Sequence, residues 1–170
     1  MDVRQIVARM EENAQVILHL AAGVSQEQAR WRPTPDDWSL LEVINHLYDE
    51  EREDFRARVD CMLHRPDEEF TPIHPGAWVT ERRYNERDLA ESLAGFLAER
   101  EASITWLAGL TGAAWTTARE HPVVGRFTAG DLLASWPAHD FLHIRQLNEL
   151  HYLYHAHTIA PRRIDYAGEW

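Results

Sequence analysis

Leu132-Leu133-Ala134-Ser135-Trp136-Pro137-Ala138-His139-Asp140-Phe141-Leu142-His143-Ile144-Arg145-Gln146-Leu147-Asn148-Glu149-Leu150 is the stretch on which the fold turns. Leu132, Trp136, His139, His143, Gln146 and Leu150 step by four and three residues, the period of one face of an α-helix. The face is largely apolar, so it reads as core-facing, and other helices must cover it. Thr128-Ala129-Gly130-Asp131 opens this helix as a capping box with Asp in the usual Glu position. The helix is expected to run to about His157. Pro137 lies inside it and removes one backbone hydrogen bond, which predicts a kink near Ser135 or Trp136.

Three earlier segments carry the same period. The first runs from Val3 to Ala21, with Val3, Ile6, Val7, Met10, Ala14 and Ile17 on one face and Gly23 as its stop. The second starts at the capping box Ser39-Leu40-Leu41-Glu42 and runs to about Leu63, with Leu40, Ile44, Leu47, Phe55, Val59 and Met62 inward. Arg65-Pro66 ends it. The third runs from about Asp88 to Leu110 with Leu89, Leu93, Phe96, Leu107 and Leu110 in register. Four single-striped helices predict an all-α domain, a four-helix bundle over residues 1–158 with a polar tail over 159–170. No segment reads as a convincing strand.

The connectors 23–38, 64–87 and 111–127 are long for links within a bundle. Trp31, Trp38 and Trp78 within them suggest that they pack onto the helices. Connectors of this length join parallel or antiparallel neighbours equally well, so they leave the helix order open.

The chain has 170 residues, is 45% hydrophobic and 26% charged, and carries a net charge of −11. This is the composition of one globular domain. The acidic balance, with no basic stripe, argues against a nucleic-acid partner. No long apolar run argues for membrane insertion, and Met1-Asp2-Val3-Arg4 does not open a signal peptide. All 17 basic residues are Arg. The absence of Lys excludes a lysine Schiff base and a Walker A loop. A single cysteine, Cys61, suits the cytoplasm and excludes a cysteine-based zinc site within one chain; it reads as a packing residue.

His139 and His143 are the informative pair. Four residues apart on one helix face, their rings can share one metal ion. His46, at the edge of the second helix's inward stripe, is the third candidate, completing a three-histidine set with positions left open. Glu50 and Glu53 follow His46 by one and two turns and could supply a ligand or a general base. The run Asp49–Asp54 otherwise reads as a solvated acidic face. Asp140 is a further candidate base, and Arg100, on the apolar stripe of the third helix, is a candidate holder of an anionic thiol or substrate, unless it pairs with Glu50 or Asp140. His151 and His155 repeat the spacing of four in what reads as a solvated tail. His-Asp-x-x-His falls one methylene short of the zinc-protease motif, and no Glu is followed by His three residues on, so a ferritin-like di-iron site is excluded.

Three elements together resemble the DinB-like superfamily of bacterial metal-binding four-helix bundles. They are Trp38-Ser39-Leu40-Leu41-Glu42-Val43-Ile44-Asn45-His46-Leu47 with Asp49 and Glu50; Trp78-Val79-Thr80-Glu81-Arg82 leading to Tyr84-Asn85; and His139-x-x-x-His143-x-x-Gln146. The likeness spans about Val3 to Leu150. It implies that His46, His139 and His143 hold one divalent metal, zinc or nickel. Some members are transferases or isomerases that use low-molecular-weight thiols such as mycothiol or bacillithiol. The expectation is therefore a metal-dependent S-transferase or isomerase acting on a small molecule. The alternatives are a non-catalytic metal-binding stress-response protein, a metal-dependent hydrolase, and a bundle with no metal. Tryptophan-rich connectors also allow a homodimer.

Overall fold

The computed structural model describes residues 2–170; Met1, the first residue of the expected domain, lies outside them. Helix α1 spans Val3–Ala21, capped by Asp2, whose side chain accepts from the Arg4 amide. The short α2 (Gln26–Arg30) follows in the first connector. Helix α3 (Leu40–Glu50) opens on the expected capping box: Ser39 Oγ accepts from the Glu42 amide and Glu42 accepts from the Ser39 amide. A π-helical turn, Glu51–Phe55, joins it to α4 (Arg56–His64). Helix α5 (Pro75–Glu81) and a 3-10 turn at Tyr84–Glu86 lie in the second connector. Helix α6 spans Leu89–Gly109 and α7 spans Ala129–Thr158. The Thr128–Asp131 capping box forms as expected. The proline does not interrupt α7, which continues as one helix through Pro137.

Paired residues fix the directions of the helices. Asn13 meets Pro137 and Asp140, and Leu20 meets His151, so α1 and α7 run parallel. Asn45 meets Ser92, and Arg56 meets Glu99 and Ser103, so α3–α4 and α6 also run parallel. His46 faces His139 and His143, while the later Phe55 faces Trp136, so α3 and α7 are antiparallel. Helix α1 packs on α6 and α7, and so does α3, which leaves α1 diagonal to α3 and α6 diagonal to α7. This order requires the 65–88 connector to return the length of the bundle. Residues 40–64 rise about 37 Å as helix, which an extended chain retraces in about 11 residues. The connector has about twice that length, and spends the excess on α5 and the 3-10 turn, which cover the outer side of α3.

That cover overturns one expectation. Asp49, Glu50 and Glu51 are buried, not a solvated face. Asp49 accepts from the Tyr84 hydroxyl, Arg82 and Arg52. Burial pushes its carboxyl up, but these donors hold it below the ordinary carboxylate range. A second correction concerns the third connector, where Ala118–His121 (β1) pairs antiparallel with Gly125–Thr128 (β2). The hairpin turns at Pro122-Val123-Val124, with Gly125 at φ +71° supplying the left-handed residue that such a loop needs.

Two apolar clusters make up the core of the bundle, and a third, Trp78, Val79 and Tyr84, lies under the second connector. Ile17, Leu41, Ile44, Phe96 and Leu147 belong to one. Met10, Phe55, Leu107, Leu133 and Trp136 belong to the other. On each long helix a polar residue falls between them: Asn13, Glu51, Arg100 and Asp140, all buried. No helix is long and apolar enough to cross a membrane among the described residues. The tail beyond Thr158 is largely exposed, with Trp170 stacked on Tyr152 at 4.6 Å.

Candidate metal centre

Helices α3 and α7 bring His46, His139 and His143 together at the seam between the two clusters. One ring nitrogen from each lies within 4.8 Å of the others, and this is the one such group of three ligand-type residues among the described residues. The stripe carrying the α7 histidines was expected to face the core. Two of its members, Trp136 and Leu150, do so, while Leu132, His139, His143 and Gln146 are half-buried at the core's edge, with Leu133, Asp140 and Leu147 deeper beside them. The centre is thus enclosed by protein on one side and reachable on the other.

The ring nitrogens converge on one point. His143 Nε2 stands 3.1 Å from His139 Nε2, and His143 Nδ1 stands 2.8 Å from Gln146 Oε1. An amide oxygen only accepts, so His143 carries its proton on Nδ1 and presents a lone pair at Nε2. His46 Nδ1 is buried with no hydrogen-bond partner. Burial, then the neighbouring His143 and His139, pushes the His46 pKa down to about 2. Burial, then His143 and Arg100, pushes His139 down to about 3. Burial also lowers His143, opposed by Gln146 and Asp140. All three rings are neutral at physiological pH, the form that binds metal. Trp38 packs edge-on to His46 at 5.0 Å, and Phe55 lies 5.2 Å from His139.

These residues fit a metal ion. The orphaned buried nitrogen of His46 is unfavourable without a partner, and the facing nitrogens of His139 and His143 stand at coordinating distance beside it. An all-imidazole donor set suits zinc or nickel better than magnesium or calcium, which prefer oxygen.

The sequence model of the DinB superfamily matches residues 9–147. The chain belongs to the DinB superfamily. In the fold it is similar to YfiT from Bacillus subtilis, described as a probable metal-dependent hydrolase with an unusual four-helix bundle topology. The two share 19% identity and a TM-score of 0.76, covering 87% of this chain and 85% of YfiT. A search of curated proteins finds no match.

Other residues singled out in this DinB-superfamily sequence take different places. Arg100, expected to hold an anion, is 2% exposed and has every N–H committed. Its guanidinium donates to both oxygens of Glu51, both oxygens of Asp140, and the Met10 carbonyl. Asp140, the candidate base, is taken by Arg100 and Asn13. Glu50 is outside the histidine group yet 4% exposed, with Oε1 buried and unpartnered. Burial, then Asp54, raises its pKa to about 9. Glu53 pairs with Arg82. Both ring nitrogens of His151 are tied, to the Leu20 carbonyl and to Gln28, so that pair is no second metal site. Glu51 was missed; its partner Trp136 Nε1 sits on the same stripe as the histidines and points to it.

Beside the histidines a cavity of about 190 Å³ opens between Trp38 and Gln146, lined also by Asp37 and Leu150. Trp38 stands at its opening, and Arg100 is not among its lining residues.

Proposed function

We propose that this protein is a metal-dependent enzyme in which His46, His139 and His143 hold one divalent ion, zinc or nickel. The observation that carries this reading is the facing set of neutral imidazoles, with His139 and His143 half-buried at the edge of the core. A closed structural site needs a fourth protein ligand, and the histidine group has none.

When bound, the ion would supply Lewis acidity, which lowers the pKa of a thiol or water and yields a nucleophile at neutral pH. The chain's own groups do the rest. Gln146 fixes the His143 tautomer. Trp38 and Phe55 shield the imidazole flanks from water. Glu50, one turn beyond His46, holds a proton on its carboxyl at neutral pH and is the candidate acid. The sole cysteine, Cys61, is buried in α4 and outside the histidine group, so the nucleophile comes from solution.

The finer reading is a transfer of a low-molecular-weight thiol onto a small electrophile. It draws on the family resemblance. Hydrolysis is the second reading, favoured by the description of YfiT as a probable metal-dependent hydrolase. Metal content by plasma mass spectrometry, beside His46→Ala and His139→Ala, tests the common premise. About one ion per chain, lost in both variants, supports it; no ion after zinc or nickel reconstitution overturns it. Zinc-loaded protein is then assayed with thiol plus electrophile and with ester and amide substrates. Thiol-dependent turnover supports transfer, and thiol-independent turnover replaces it with hydrolysis.

A further inference from the structure

A second cavity, of about 320 Å³, lies between the hairpin and helices α4 and α7. Phe70, Val124, Phe127 and Leu132 make its walls mainly apolar. A cavity of about 150 Å³ accepts benzene, so this one has room for a fused pair of rings. The aromatic walls are fixed in place. Phe70 carries the guanidinium of Arg58 at 5.2 Å and that of Arg119 at 4.7 Å, and stands 6.3 Å from Phe127.

Each polar side chain lining this cavity makes a hydrogen bond within the protein, with one exception. His121 Nδ1 accepts from the amides of Val123 and Val124. Ser135 Oγ donates to the Asp131 carbonyl. The Asp131 carboxylate holds the amide and hydroxyl of Thr128. The exception is Arg58. Its Nε lies 2.8 Å from Asp54, and among the described residues nothing accepts from its Nη1 or Nη2. A guanidinium fork left open beside aromatic walls matches a carboxylate in shape and charge. Three acids stand near this fork. Asp54 is ion-paired at Nε, Glu50 keeps its proton at neutral pH and is uncharged, and Asp131 is exposed, so water screens it.

We propose that this cavity binds a small aromatic carboxylate, its ring between Phe70, Phe127 and Leu132 and its carboxylate on the open Nη fork of Arg58. Ser135 lies one turn before His139 on α7, so the ligand sits about 6 Å of helix rise from the histidine centre. As a substrate pocket the cavity rests on the metal-dependent reading; as a binding site it does not.

The test is a fluorescence titration with 2-naphthoate, its neutral amide and 2-naphthylmethylamine. The protein is used as purified and after treatment with EDTA, beside Arg58→Gln and Val124→Glu. Val124 is 67% exposed, so its variant keeps the fold. Naphthoate is expected to saturate one site equally in both preparations. Each variant, and the amide, should bind about tenfold more weakly or worse, the loss of a charge-assisted hydrogen bond. No saturable binding, tighter binding of the amine, or indifference to both variants overturns the proposal. Binding that disappears with EDTA also overturns it, because the carboxylate then sits on a metal, and the metal-dependent reading stands. Naphthoate binding retained in protein that takes up no metal has the reverse meaning.

Discussion

The Nε2 atoms of His139 and His143 face each other at 3.1 Å across one turn of α7. His139 and His46 are neutral at pH 6, because burial holds them far below the usual histidine range, and burial lowers His143 as well. Three ordinary histidines would release roughly two protons on binding a metal at that pH. This centre should release far fewer. Calorimetric titration of zinc into metal-free protein at pH 6, in two buffers of different ionisation enthalpy, should give nearly the same heat. A difference worth two protons would show that the rings are not held neutral.

Gln146 accepts from His143 Nδ1 and so holds the ring in its metal-binding tautomer. Gln146→Ala should weaken zinc affinity about 10- to 100-fold without unfolding the protein. Competition with a chromophoric chelator measures it; unchanged affinity would remove Gln146 from the centre.

Arg100 is the only cation between Glu51 and Asp140 in the polar layer. Arg100→Met leaves two carboxylates buried without their counterion. The expected loss is about 3–5 kcal/mol in urea unfolding. A loss under about 1 kcal/mol would mean that the carboxylates protonate or reach water at little cost.

Glu50 supplies a pH dependence with a definite sign. Its folded pKa, about 9, lies above the ordinary value of 4.5. Its contribution is therefore fully present below about pH 4.5 and is lost as pH rises towards 9. In metal-free protein, Glu50→Gln should gain stability relative to the parent chain over that window. Unfolding curves measured at pH 4.5, 7 and 9 should diverge; parallel curves would show that Glu50 ionises normally.

Much of this was legible because it is local. The bounds of α1, both capping boxes and the four-residue spacing of His139 and His143 depend on neighbours within one or two turns. What depended on remote chain was not legible. Asp49 looks like part of a solvated acidic run until the returning connector brings Tyr84 and Arg82 over it. Arg100 sits on an apolar stripe, and its pairing with Asp140 was one of the readings open to it; Glu51 continues the stripe of Leu40, Ile44 and Leu47, but a carboxylate there reads as solvated until α6 brings its cation. The hairpin was hidden because Ala118-Arg119-Glu120-His121 carries no alternating apolar pattern. The centring of the α7 stripe was misjudged because a half-buried metal centre and a core face share one period.

The π-turn at Glu51–Phe55 has a consequence for how this chain can change in length. An extra residue wound into a helix rotates everything after it by about 100°. Here the turn lets Glu51 reach Arg100 and Phe55 reach Trp136 and His139, with α4 in phase behind them. Deleting one residue there would restore an ordinary helix and swing Val59 and Met62 out of the interior. A residue gained or lost at the tip of the 118–128 hairpin leaves these contacts in place, while one gained or lost between His46 and Phe55 breaks them.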